Sequence, residues 1–218
     1  MRKKFSTVFL AIIMILALFT GCGKEDSPED ALAEIRSAFA ERDIDDLTMR
    51  VDMENFFAQT YDELTLQLAN NYEKYKTKYP NDPYFQHDSE FLKKYNAEHR
   101  DRHLAFLNSV QDAYFSRMPE PDEPKKNPYA YLANEFEKVR LSSTIKVKDK
   151  KIEGNHATLV VDVKGDNSLR GQLIGHMTFN LGFEKGENGK WHFVRVENFD
   201  ELADTLVDKA ELIWVTFY

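Results

Sequence analysis

His99 and His103 stand four residues apart in a segment of helical periodicity. That spacing puts both imidazoles on one face of a helix, where they could supply two metal ligands or two groups for acid–base work. They interrupt an apolar stripe, with Phe91, Leu92 and Tyr95 before them and Phe106, Val110 and Tyr114 after. Three roles are open to such an interruption: satisfied core or rim histidines, the polar lining of a ligand pocket, or half of a metal site. No glutamate follows His99 in zincin spacing, and the single cysteine, Cys22, is far away in the chain. No metal ion or other cofactor is expected. Tyr61, Tyr72, Tyr75 and Tyr79 form a second stripe, either core with hydroxyls at its edge or an aromatic wall facing the histidines. The candidate pocket is therefore Tyr72, Tyr95, His99 and His103. His176 and His192 fall on adjacent expected strands, with Asp162 within reach of His176, but the solvent face of a sheet carries such residues without catalysis. There is no Gly-rich phosphate loop and no nucleophile-elbow serine, so no residue is assigned as catalytic.

Cys22 carries a different chemistry. Arg2, Lys3 and Lys4 precede an uncharged run from Phe5 to Phe19. As a helix that run reaches roughly 22 Å, short of the ~30 Å hydrocarbon core of a bilayer, as a removable signal should be. The stretch Leu18-Phe19-Thr20-Gly21-Cys22 resembles the lipobox of bacterial lipoprotein precursors, with Phe19 where leucine is most common. The resemblance implies cleavage after Gly21, a diacylglyceryl thioether on Cys22 and a further acyl chain on the new amino terminus. Each buried CH₂ contributes ~0.8 kcal/mol, so several chains make a lasting anchor. Gly23, rather than aspartate, follows the cysteine; in a two-membrane host this resembles outer-membrane sorting, facing the periplasm. Residues 1–21 are then the signal peptide, 22–26 a short tether and 27–218 one domain. A lone cysteine excludes an intramolecular disulfide.

The whole chain has a net charge of −8. Removing residues 1–21 takes away three basic residues and no acidic one, leaving 26 basic against 37 acidic, net −11. Such a domain is a poor nucleic-acid binder and is repelled by anionic headgroups. Its membrane partner is reached through the lipid.

Along the domain, Ser27 caps a helix opened by Pro28 and lasting to about Glu41, and Asp43 caps a short turn. The three-four spacing from Asp52 to Tyr79 predicts one long helix stopped by Pro80, and a further long helix is expected from about Ser89 to Arg117. The proline-rich stretch 119–128 reads as an exposed loop, followed by a short helix over 131–138. From Val139 the period becomes 2. Four strands are expected: one carrying Val139, Leu141, Ile145 and Val147, one over Ala157–Val163, one carrying Leu173 to Phe183, and Trp191–Val196. Short turn-rich links between them predict an antiparallel meander. Asn198 should cap a terminal helix, with the apolar ending 212–218 packed on the domain or paired at a sheet edge. Helices and strands each need the other to bury an apolar face.

Helices followed by an antiparallel sheet, with Asn188-Gly189-Lys190-Trp191-His192-Phe193 at its last hairpin, resemble the NTF2-like (cystatin-like α+β) superfamily. The segment from Ala31 to Val51 resembles the opening of some bacterial members. The resemblance implies a cone-shaped α+β fold with a cavity between helices and sheet, and it names no chemistry. The expected function is a non-enzymatic, lipid-anchored envelope domain that binds a small apolar ligand or another envelope protein. The alternative is a small hydrolase or isomerase using His99, His103 and Tyr95 inside that cavity. Replacing Cys22 with serine should leave unprocessed precursor without lipid; metabolic labelling with a fatty acid checks this, and normal labelling of Cys22→Ser would contradict the anchor.

Overall fold

In the computed structural model, which describes residues 26–217, a four-stranded sheet supports two layers of helix. The chain begins with α1 (Pro28–Glu41), α2 (Ile44–Thr48), α3 (Met53–Asn70) and α4 (Tyr72–Lys78). A 3₁₀ turn (Pro83–Phe85), the long α5 (Ser89–Phe115) and α6 (Pro128–Leu141) complete the helical half. Then come β1 (Ser143–Glu153), β2 (His156–Gly165), α7 (Leu169–Ile174), β3 (His176–Lys185), β4 (Trp191–Val196) and α8 (Phe199–Phe217). The strands pair antiparallel in sequence order, from Ser143 opposite Gly165 to Glu153 opposite His156 in the first ladder. The expected α+β class and four-stranded antiparallel meander are what the chain adopts.

Local chemistry sets most boundaries. Ser27 and Asp30 form a reciprocal capping box with Pro28 at the first helical position, and Asp43, Asp52 and Asp88 accept from the first-turn amides of α2, α3 and α5. One face of the sheet is buried through Leu159, Val161, Phe179, Leu181 and Phe193. The alternation that predicted these strands is the alternation that buries them.

Four expectations change. The helix predicted to run unbroken from Asp52 to Tyr79 divides at Asn71, whose side-chain amide and backbone amide both donate to Gln67 O. A short polar side chain competing for a helix carbonyl weakens the ladder there. Val139 and Leu141 belong to α6 rather than to the first strand: Asn127 caps that helix, Arg140 pairs with Glu137 one turn back, and Leu141 is 67% exposed. Leu173 sits on α7 and not on β3. There Gly165 passes so close to Gly171 that a Cβ would lie 1.8 Å from its carbonyl oxygen, and Gly175, at φ 65°, turns the chain into β3. Asn198 precedes α8, but its amide serves β3 instead, accepting from Asn180 N at 2.8 Å and donating to Thr178 O at 3.2 Å. The backbone of α8 continues to Phe217, so the apolar ending is helical and not a sheet edge.

The layering matters most for function. Helices α1 and α3 lie on the sheet, while α5 packs chiefly on α3 and α6. The long helix is thus separated from the sheet by another helix.

The free edge of β4 is covered by the link between α2 and α3, where Phe193 N donates to Arg50 O at 2.9 Å. The Arg50 side chain is 1% exposed. Its Nε donates to Glu34 at 2.6 Å, and its Nη atoms donate to Asp26 at 2.5 and 2.9 Å and to Trp191 O at 3.0 Å. Asp26 also accepts from Trp191 N at 2.6 Å. Burial pushes the Asp26 carboxyl up, but the Arg50 guanidinium and the Trp191 amide outweigh it and hold the group below the usual carboxylate range. A carboxyl depressed in the folded state stabilises at pH values above its unfolded value of about 3.9, and that contribution is lost as pH falls through the folded value. Asp26→Asn should therefore lower the urea midpoint at neutral pH and flatten the decline below about pH 4; an unchanged acid profile would show that Asp26 is not held this way.

Candidate functional site

The α5 residues singled out in the sequence come together on one flank of the helix. At four-residue spacing, Phe91, Tyr95, His99 and His103 lie along one flank of the helix, and His87, just before its cap, stacks on Phe91. Their rings form a ladder: His87–Phe91 centroids are 4.0 Å apart, Phe91–Tyr95 6.1 Å, Tyr95–His99 4.2 Å and His99–His103 6.1 Å. Tyr95 and His99 are stacked within 20° of parallel. Tyr95, His99 and His103 are half-buried, while Phe91 is 40% exposed. The ladder is a flank of the outer helix layer, exposed at Phe91 and part-buried from Tyr95 to His103.

Beneath it lies a buried polar network. Asn96 is 3% exposed, and its Oδ1 accepts from Tyr84 Oη at 2.9 Å. Tyr61, from α3, reaches both Asn96 O at 3.0 Å and His103 Nδ1 at 2.9 Å. A carbonyl can only accept, so the single Tyr61 proton goes to Asn96 O, and His103 Nδ1–H donates to the Tyr61 oxygen. His99 Nδ1 lies 2.9 Å from Tyr95 O, another pure acceptor, and therefore carries its proton there. Both histidines thus have Nδ1 committed to the protein. Burial raises the Tyr61 hydroxyl well above its ordinary pKa, helped by neighbouring Tyr95 and Asp62, so it remains protonated. The network also contains an unmatched group: Asn96 Nδ2 is buried with no hydrogen-bond partner.

Tyr72 is separate from the ladder face. It is 2% exposed, and its one hydroxyl proton is shared between the carbonyls of Phe85 and His87, bracing the turn that leads into α5. Tyr75 and Tyr79 stack on Phe85 and turn their hydroxyls to Asp204 and Asp208 of α8. Lys74 and Lys78 pair with the same two carboxylates. The tyrosine stripe is core whose polar ends join α4 to α8.

On the outer face of the sheet, Asp162 accepts from Thr178 at 2.8 Å and faces Lys148 at 3.1 Å and His176 at 3.4 Å. The expected His176–Asp162 pair forms, whereas His192 lies opposite Glu184. His176 is 60% exposed, as on an ordinary solvent face.

A cavity of about 20 Å³ lies among α1, α3, α5 and α6, lined by apolar side chains such as Phe39, Phe57, Val110 and Phe136, with Gln111 at its wall. That is room for about one water. Tyr95, His99 and His103 do not line it. Among the described residues no three His, Cys, Asp or Glu side chains converge to hold a metal ion, and no helix is long and apolar enough to cross a membrane. Cys22 lies outside the described residues.

Two features escaped the sequence reading. Arg50 stands between Met49 and Val51, and nothing local marks it as buried. The Tyr61–Asn96–Tyr84 network joins residues up to 35 positions apart; Asn96 inside an apolar stripe is the one trace of it. No protein-family model, curated protein or solved structure matches the chain. Tyr61→Phe removes a hydroxyl that serves a buried carbonyl and a half-buried imidazole, so it should cost about 1–3 kcal/mol in urea unfolding. A loss near zero would mean that the network contributes no stability.

Proposed function

We propose that the chain is a lipid-anchored protein of the bacterial cell envelope, and that its domain, a helix-enriched relative of the NTF2-like superfamily, binds another envelope protein. The anchor rests on the lipobox-like stretch ending at Cys22 and the basic, then apolar, segment before it. The superfamily reading rests on helices that precede an antiparallel meander.

One observation carries the choice between partner and small ligand. The space between helices and sheet is filled by side chains such as Leu32, Phe57, Leu159 and Phe179, each no more than 1% exposed. An apolar ligand site usually needs several hundred Å³, and the cavity among the helices has about 20 Å³. The reading is supported by the ladder of stacked, part-buried rings along α5. Aromatic side chains held in fixed rotamers by stacking are good protein contacts, because little conformational freedom is lost when they are covered. A photo-crosslinking residue at position 95, introduced in cells, should capture one discrete envelope protein. Native mass spectrometry of the purified domain should then find no stoichiometric small molecule. A bound small molecule together with no captured protein would contradict the reading.

A further inference from the structure

The way Asp26 is held decides which end of the domain meets the membrane. Asp26 is fixed to Arg50 and to Trp191 N, and Trp191 is the first residue of β4. In an antiparallel meander the β1–β2 and β3–β4 turns lie at the same end of the sheet. Here Lys185 N donates to Asn155 O at 2.8 Å, holding the two turns side by side. The tether therefore leaves the domain at the hairpin end.

Four peptide steps separate Cys22 from Asp26. Fully extended they span at most about 14 Å. The headgroup layer occupies roughly 5–8 Å on each side of the hydrocarbon. A domain fixed at Asp26 thus has too little slack to turn its far end towards the bilayer. Resting on the reading that Cys22 carries lipid, we propose that the hairpin end, residues 151–156 and 185–190, is a membrane-contact surface seated among phospholipid headgroups.

The chemistry of the tips suits that position. Lys185 and Lys190 flank the β3–β4 turn and are exposed, placing two amines at phosphate level with stems that can lie along the interface. Ile152 is 49% exposed beside the other turn, an apolar side chain at the depth where a shallow apolar contact is available. The strong negative charge of the rest of the domain is repelled by anionic lipid, which favours the same orientation. The opposite end, with Leu141 67% and Leu169 57% exposed, then points away from the bilayer.

The experiment uses the acylated full chain in vesicles of phosphatidylcholine and phosphatidylglycerol containing a nickel-chelating lipid. Thioether formation consumes Cys22, so one introduced cysteine carries a spin label at a single position. Labels on Glu187→Cys and Asn155→Cys should be relaxed by the headgroup-bound nickel several-fold more than a label on Asn167→Cys at the opposite end. Equal relaxation at all three positions, in protein whose acylation is verified by mass spectrometry, overturns the orientation and leaves the anchor standing. Absence of acyl chains overturns the anchor and this inference with it. Inserting ten Gly/Ser residues after Gly23 leaves the domain untouched and should erase the difference. A difference that survives the insertion would mean that the short tether is not what seats the hairpin end.

Discussion

A guanidinium with 1% exposure is a demanding thing to bury. Taken out of water alone it would cost many kcal/mol; paired and fully hydrogen-bonded it becomes tolerable. Arg50 places four of its five N–H donors on two carboxylates and a backbone carbonyl. Burial acts to lower its pKa, but Asp26 and Glu34 outweigh this and keep it firmly charged. Its partners come from the start of the domain, from α1 and from β4. Because each partner depends on the charge, they must assemble together. The ion cluster contributes less by net energy than by allowing one arrangement of α1 against the edge of the sheet.

That arrangement fixes what the remaining elements can do. With α1 and α3 held against the sheet, their side chains fill the space a cone-shaped fold could leave open. Helix α5 must find its apolar support on α3 and α6, in an outer layer. Its polar interruption then falls on a flank instead of lining an interior. Tyr61 bridges the layers, donating to a carbonyl of α5 and accepting from His103. On that flank Tyr95, His99 and His103 stack as part-buried rings, and the proposed protein contact rests on them.

The sequence shows local physics well and layering poorly. Caps at Ser27 and Asp43, the alternation in β2 and β3, and the tight last hairpin were all legible, because each depends on neighbours within a few residues. Asn71 was misjudged since the apolar spacing continues through the break: Tyr72 and Tyr75 remain buried on both readings. Val139 and Leu141 alternate like a strand, yet the Asn127 cap and the Glu137–Arg140 pair act over the preceding turns and keep them helical. Periodicity told correctly that His99 and His103 share a face with Tyr95. It could not tell what that face meets, because the answer depends on α3 lying between α5 and the sheet. Arg50 was invisible for the same reason, its partners being 16, 24 and 141 positions away.

Amide hydrogen exchange at Trp191 and Phe193 tests the central role of Arg50 most directly. Trp191 N donates to Asp26, and Phe193 N donates to Arg50 O. If the Arg50 cluster binds the first residues of the domain and the α2–α3 link to the sheet as one unit, both amides should exchange only through global unfolding. Their protection should then match the stability measured in urea. Fast local exchange at both positions, with the amides of β2 still fully protected, would contradict it.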